Sequence, residues 1–500
     1  MIVKSEKIQQ QVVMDEARIE GYVPEPTAAS KEELARLGAG IPVPIPRPIP
    51  IPMPIPFLLG SRFMIWKQDP TVSELGRRLT YLRRLVLNGP RDARIDTILP
   101  GTTPVVRNVT GDFIFGTSSP ESDCAHTFAV IRQTLTMWEQ SRNGAAIPWA
   151  WNTGTNTSVL TNHPRGFNGA NAFYTRNGKS LSFGFFTPTG AAAPVFTCRS
   201  LDIVAHETGH AILDGLKPGW LGIGNVPQTG AMHEAFGDLT AIFLALTQFD
   251  QVETFVALTR ANLHAKNFLA AVAEQFGSAL GRPSGLRNAD NDLKLSQVSN
   301  QVHELSQVFT GAIYDILADV YSFELVQQAA KKDPTQILFE VAQKVRKLLL
   351  DAIVASPASG ATFTDVANQM LQVSHGQGDP PIYRTFIRNR FQVREVLVAP
   401  TPLAATPLAQ GLIDLSDKKY TGAEGDITDL EMAYPEHPSV TDGVTQDRSE
   451  TCGTMQLPEY GRPQKEIDAD LKKLQAGDEA IPEEGLLVQE VKDLKKAFAS

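Results

Sequence analysis

The sequence predicts an α+β fold, with a β-rich first lobe, a mainly helical second lobe and an extension at either end. Three observations carry this. Residues 93–186 break into short β-like runs punctuated by Gly and Pro around one long helical segment. After Gly230 apolar residues recur at helical spacing almost to residue 390. Between these regions lies a helix carrying His206-Glu207-Thr208-Gly209-His210, and a helix at such a junction floors a cleft.

A chain of 500 residues is too long for one small core, so two or three domains are expected. Hydrophobic content of 42% and charged content of 20% fit a soluble globular protein, and no apolar run approaches a membrane span. The net charge of −9 gives no footprint for nucleic acid. Three cysteines, Cys124, Cys198 and Cys452, are too few and too scattered for a disulfide framework. The opening residues lack the apolar core of a secretory signal, so the expectation is a cytoplasmic protein or one exported without a cleavable signal.

Residues 1–92 form the first extension, with a short helix predicted at 31–37. Its strip at 41–56, IPVPIPRPIPIPMPIP, has Pro at every even position from Pro42 to Pro56. That excludes helix and ladder alike and leaves polyproline II, either as a stiff spacer or as a docking strip for a partner or the protein's own surface. Residues 75–92 read as an amphipathic helix with a basic face. The first lobe, 93–213, begins with β-like runs to Gly116, a helix over 123–140 and a strand at 180–186, before the His-Glu helix. The second lobe, 214–400, is read as helices at 232–248, 251–277, 301–330, 335–355, 362–373 and 382–390. Residues 401–500 hold 20 acidic against 10 basic residues and few aromatics. They read as a poorly ordered acidic extension ending in a helix at 486–498.

His206 and His210 are one helical turn apart, with Cβ atoms about 5–6 Å apart, close enough to share an ion. Glu207 points off that face and stays free to act on a water. Ser200 or Asp202 caps the helix. In the next helix, Glu234 and Asp238 again share a face. Glu234 completes a His2Glu set with one position open, and Asp238 is suited to accept the second N–H of a ligand imidazole. The alternative, an ordinary acid pair on a helix surface, is weakened by apolar Ala235, Phe236 and Leu239 around them.

Six segments, in order over roughly residues 95–400, resemble the thermolysin family of zinc endopeptidases, with its short-precursor, protealysin-like members the nearest analogy. They are SDCAHTFAVI, NGANAFYTRNGKSLSFGFF, LDIVAHETGHAILD, GAMHEAFGDL, GLRNADND and NQVHELSQVFTGAIYDIL. The resemblance implies a two-domain metallopeptidase with its zinc site in the cleft. By it, His206, His210 and Glu234 bind one zinc ion and Glu207 is the general base. His303 donates to the oxyanion. Asn171 and the Ala172 backbone hold an extended peptide or protein substrate, and Arg287 steadies a substrate carbonyl. Ile203 and Leu286 line the pocket for an apolar residue after the scissile bond.

The chain departs from the family pattern in four places. Twenty-three residues separate His210 from Glu234, and none is the Tyr that the family uses on the oxyanion. The Trp220 indole is a candidate replacement. His233 stands where the family has Asn, as a partner for the second histidine ligand. Asp202 matches a calcium-binding acid whose partner position falls on Ala245, so calcium is left open. Two readings follow: a zinc endopeptidase held latent as a zymogen by the proline strip or the acidic tail, or a zinc-binding protein of the same fold with weak or no proteolysis. An aminopeptidase is disfavoured, because no exopeptidase Gly-x-Met-x-Asn stretch is present.

Overall fold

The computed structural model describes residues 60–99, 103–222, 225–282, 285–398 and 451–453. The helix at 31–37, the strip at 41–56 and the helix at 486–498 lie outside the described residues. Among the described residues the protein is α+β, and no single helix is long and apolar enough to cross a membrane.

Strands β1 (Ser61–Trp66) and β2 (Arg77–Leu82) form an antiparallel hairpin. The helix expected over 75–92 is therefore absent. Leu75, Leu79, Leu82 and Val86 do recur at helical spacing, but pairing with β1 takes precedence and leaves Leu79 and Tyr81 about half exposed. Gly76, at φ +57°, turns the chain into β2. Among the described residues from 93 to 116, the only regular strand is β3 (Ile95–Thr97). The run at 112–116 contributes a single bridge, Phe113 to Phe63, whose rings stack 5.0 Å apart.

Helix α1 (Pro120–Ser141) is capped by the Ser119 side chain accepting from the Ser122 N–H, with Pro120 at its first turn. Strands β4 (Leu160–Asn168), β5 (Ala172–Thr175), β6 (Ser180–Phe186) and β7 (Val195–Phe196) follow. Together with β3 and β10 (Thr451–Gly453) they make a mixed six-stranded sheet in the order β10-β5-β6-β4-β3, with β7 also pairing to β6. The β3–β4 and β4–β6 pairs are parallel and the rest antiparallel. Residues 451–453, inside the extension expected to be poorly ordered before a helix at 486–498, are a strand of this sheet.

Helix α2 (Leu201–Leu216) carries the two histidines, capped by Ser200 Oγ, which accepts from the Ile203 N–H at 3.4 Å. It crosses α3 (Pro227–Ala245) closely because both are glycine at the crossing. A Cβ on Gly209 would stand 3.1 Å from Gly237 Cα and 2.9 Å from Thr240 Oγ1. Trp138 of α1 stacks on Phe236 of α3 at 4.6 Å and donates its indole N–H to Thr240 Oγ1. Such an aromatic pair adds about 0.5–1.5 kcal/mol beyond its burial.

The helix expected over 251–277 stops at Thr259. Helix α4 (Phe249–Thr259) ends where Arg260 and Ala261 take left-handed φ of 54° and 65°. Strand β8 (Ala271–Val272), the single-turn helix α5 (Glu274–Ala279) and strand β9 (Arg287–Asn288) follow, with β8 paired to β9. The remaining helices, α6 (Val302–Gln328), α7 (Pro334–Ala355), α8 (Phe363–Gly376) and α9 (Pro381–Val393), match the sequence expectation to within a few residues.

Candidate metal centre

One turn of α2 and one turn of α3 face each other at the buried crossing. His206, His210 and Glu234 are each fully buried, and their ligand atoms lie within 4.8 Å of one another. Glu234 Oε2 is 3.4 Å from His206 Nε2 and 3.8 Å from His210 Nε2. Ligands held about 2.0–2.1 Å from a tetrahedral zinc stand about 3.3–3.4 Å apart, so this donor set fits such an ion with little movement. Two imidazoles and a carboxylate also have the chemistry zinc prefers.

The surroundings favour ligation. Asp238, one turn beyond Glu234, has Oδ1 2.9 Å from His206 Nδ1. With Nδ1–H donating there, Nε2 is the ring nitrogen turned towards Glu234 and His210, and the one available to an ion once it has given up its proton. Asp238 is itself gripped by Arg287, whose Nε donates to Oδ2 at 2.8 Å and whose terminal nitrogen donates to Oδ1 at 2.6 Å. Burial pushes the Asp238 carboxyl up, but Arg287 and His206 outweigh it and hold it below the usual carboxylate range. Glu234 behaves alike: burial works against its charge, and His303, His210 and His206 bring it well below its ordinary value. Both carboxylates are charged and partnered, as a buried anion must be.

The other expected residues can now be placed. Glu207 is fully buried beside His206, and Arg287 feels its charge along with those of Asp238 and Glu234. His303, near the start of α6, puts Nε2 3.0 Å from Glu234 Oε2, closing the side of the site opposite α2. The His233 ring lies 5.8 Å from that of His210, centroid to centroid. Ala172 begins β5 and Asn171 immediately precedes it, with Asn171 Oδ1 accepting from the Ala172 N–H. Ile203 and Leu286 are buried in the common core, on α2 and just before β9.

Trp220 is corrected. Its indole N–H donates to the Pro357 carbonyl at 2.8 Å, and the ring is wholly buried, so this donor is committed to the fold. Asp202 sits among Asp69, Glu274 and the Ala273 N–H, and belongs to neither group of three converging metal-type ligands among the described residues. The second such group, His264, Asp290 and Asp315, is already compensated. His264 bonds to Asp290 at 2.8 Å, and Asp315 is ion-paired to Arg394 at 2.9 Å.

No protein-family model matches the chain, and no curated protein matches it.

Two contributions were not evident from the sequence: the second partner of Arg287, expected only at a substrate carbonyl, and the need for Gly237. Arg287 is the buried counter-ion of Asp238, a contact across 49 residues of sequence with no local signal. Gly237 is the small residue that lets α3 pass under the His206 ring. Its only trace is a glycine inside an otherwise apolar helix, and such a residue has a packing reason.

The edge of the sheet is tied to the same helix. The Tyr174 hydroxyl of β5 donates to Asp214 Oδ2 at 2.6 Å, and Arg176 donates from Nε to that oxygen at 2.8 Å. Asp214 lies in the last turn of α2.

Proposed function

We propose that this protein is a zinc-dependent endopeptidase with a two-domain, thermolysin-like core. The observation that carries the reading is the convergence of His206, His210 and Glu234 around one point, with buried Glu207 next to the first ligand. His206, His210 and Glu234 would hold the zinc ion, which would supply Lewis acidity for the scissile carbonyl and for the attacking water. Glu207 accepts the proton from that water and passes it to the leaving amine. His303 Nε2–H donates to the oxyanion as it forms. The β5 edge, entered through Asn171 and Ala172, takes the peptide as an added strand. Arg287 steadies a substrate carbonyl while holding Asp238. Ile203 and Leu286 favour an apolar residue after the cleaved bond.

A second reading has one observation in its favour. No Tyr lies between residues 211 and 233, and Trp220 is engaged elsewhere, so His303 is the one oxyanion donor this reading names among the described residues. That suits a zinc-binding protein of the same fold with weak or no proteolysis.

Glu207→Gln separates the two. Digestion of a peptide library by the parent chain, lost by a factor of about 10²–10⁴ in the variant at unchanged zinc content, supports the peptidase. Cleavage undiminished in the variant overturns it. A parent chain that binds one zinc and cleaves nothing favours the binding role.

A further inference from the structure

Strand β5 has two edges. Its inner edge pairs with β6, from Ala172 opposite Phe183 to Thr175 opposite Ser180. Its outer edge is met only by Thr451–Gly453 among the described residues, antiparallel, with Thr451 opposite Thr175, Cys452 opposite Tyr174 and Gly453 opposite Phe173. The strand comes within 8 Å, Cα to Cα, of both α2 and α3. It therefore runs between the sheet edge and the two helices that carry His206, His210 and Glu234.

This strand differs from the others in origin. The sheet's remaining strands lie within residues 95–196, whereas residues 399–450, 52 in number, separate β10 from the last described residue of the helical region. It is three residues long and adds nothing to the sheet beyond the cover of one edge. An open edge presents a row of backbone N–H and C=O groups that any extended peptide can use. A peptide entering the proposed active site needs the same outward groups, those of Tyr174, because N–H and C=O alternate sides along a strand and Asn171 O, bonded to the Gly184 N–H, turns Phe173 and Thr175 towards β6.

We propose that residues 451–453 are an intramolecular occupant of the peptide-binding edge, a strand that a substrate must displace before it reaches the metal centre. This rests on the peptidase reading of the site. A tethered strand competes at an effective concentration of about millimolar, which is enough to hold off dilute peptides through a weak three-residue ladder. Removing it leaves the metal ligands untouched. The device restrains access and not chemistry.

The test uses the full-length chain in a Glu207→Gln background, so that binding is read without turnover. Thr451→Pro, Cys452→Pro and Gly453→Pro are combined, because proline donates nothing to a ladder. Hydrogen exchange at the Tyr174 amide, with the Phe173 and Thr175 amides on the β6 side as internal controls, and binding of a dye-labelled Ala-Gly-Leu-Ala peptide are measured with and without the prolines. The expected result is faster exchange at the Tyr174 amide alone and peptide binding tighter by about tenfold. A free peptide spanning residues 447–455 (DRSETCGTM), added in trans, should restore protection. Unchanged exchange and binding overturn the proposal, and so does faster exchange with no peptide binding in either protein. Should the chain prove to be no peptidase, turnover is absent from the Glu207 parent as well, whereas exchange and peptide binding still report on the strand.

Discussion

Gly237 lies directly under the His206 ring: a Cβ at that position would stand 2.6 Å from both Cε1 and Nδ1 of the imidazole. No neighbour can give way, because the ring is fixed on its other side by Asp238 and buried within the α2–α3 crossing. Gly237→Ala should therefore swing or push out a metal ligand although it touches no metal. Zinc affinity measured by competition with a chromophoric chelator should fall by about 10–100-fold, the scale seen when a ligand's support is disturbed. Affinity within twofold of the parent chain would show that the crossing relaxes, and would remove the glycine from the site.

Zinc uptake should be coupled to a proton on His206. Burial disfavours its charged form, but hydrogen bonds to Asp238 and Glu234 prevail and hold the imidazole up to about 9. In chelated protein the ring is then protonated at neutral pH, and a dication has to displace that proton. The sign follows: affinity climbs with pH and levels off as the pH passes about 9. Calorimetry at pH 7 in buffers of different protonation enthalpy should find about one proton released per zinc. Asp238→Asn should reduce that release and weaken zinc about 10–100-fold. An affinity independent of pH between 6 and 9 would contradict the assignment.

Trp220→Phe tests the oxyanion side. The indole N–H holds the Pro357 carbonyl, so its loss should lower stability by about 1–3 kcal/mol while leaving kcat within twofold. A fall in kcat of about 10²–10³ would instead make Trp220 an oxyanion donor.

Asp202 carries a stability cost at neutral pH. Burial, with the charges of Asp69 and Glu274, raises its carboxyl well above the usual range against the opposing hydrogen bonds of the Ala273 N–H and the Gln68 side chain. A group whose folded pKa is raised lends its full stability below the unfolded value, about 4, and loses it as pH rises through the folded one. Asp202→Asn should flatten that decline and stabilise the protein at pH 7 by roughly 1–2 kcal/mol, read as a higher thermal midpoint. A lower midpoint, or a gain from calcium present only in the parent chain, would reveal a cation beside Asp202.

Much of the centre was legible because helical spacing converts sequence separation into a shared face. His206 and His210, then Glu234 and Asp238, needed only the 3.6-residue period to be paired, and the long helices around them followed the same rule. The illegible parts depend on contacts between distant segments. Arg77–Leu82 has apolar residues that satisfy a helix, yet pairing with Ser61–Trp66 makes it a strand. Arg287 finds Asp238 across 49 residues, and Thr451–Gly453 finds β5 across more than 270. Neither carries a local pattern that could announce its partner.

The bond from Tyr174 to Asp214 has a mechanical consequence. It rivets the strand proposed to grip the peptide to the far end of the helix that holds two of the ligands, and Arg176 doubles the rivet. On the peptidase reading, this fixes the proposed peptide edge and two of the three candidate ligands in one unit. Glu234 on α3 and His303 on α6, 3.0 Å apart, lie outside that tie.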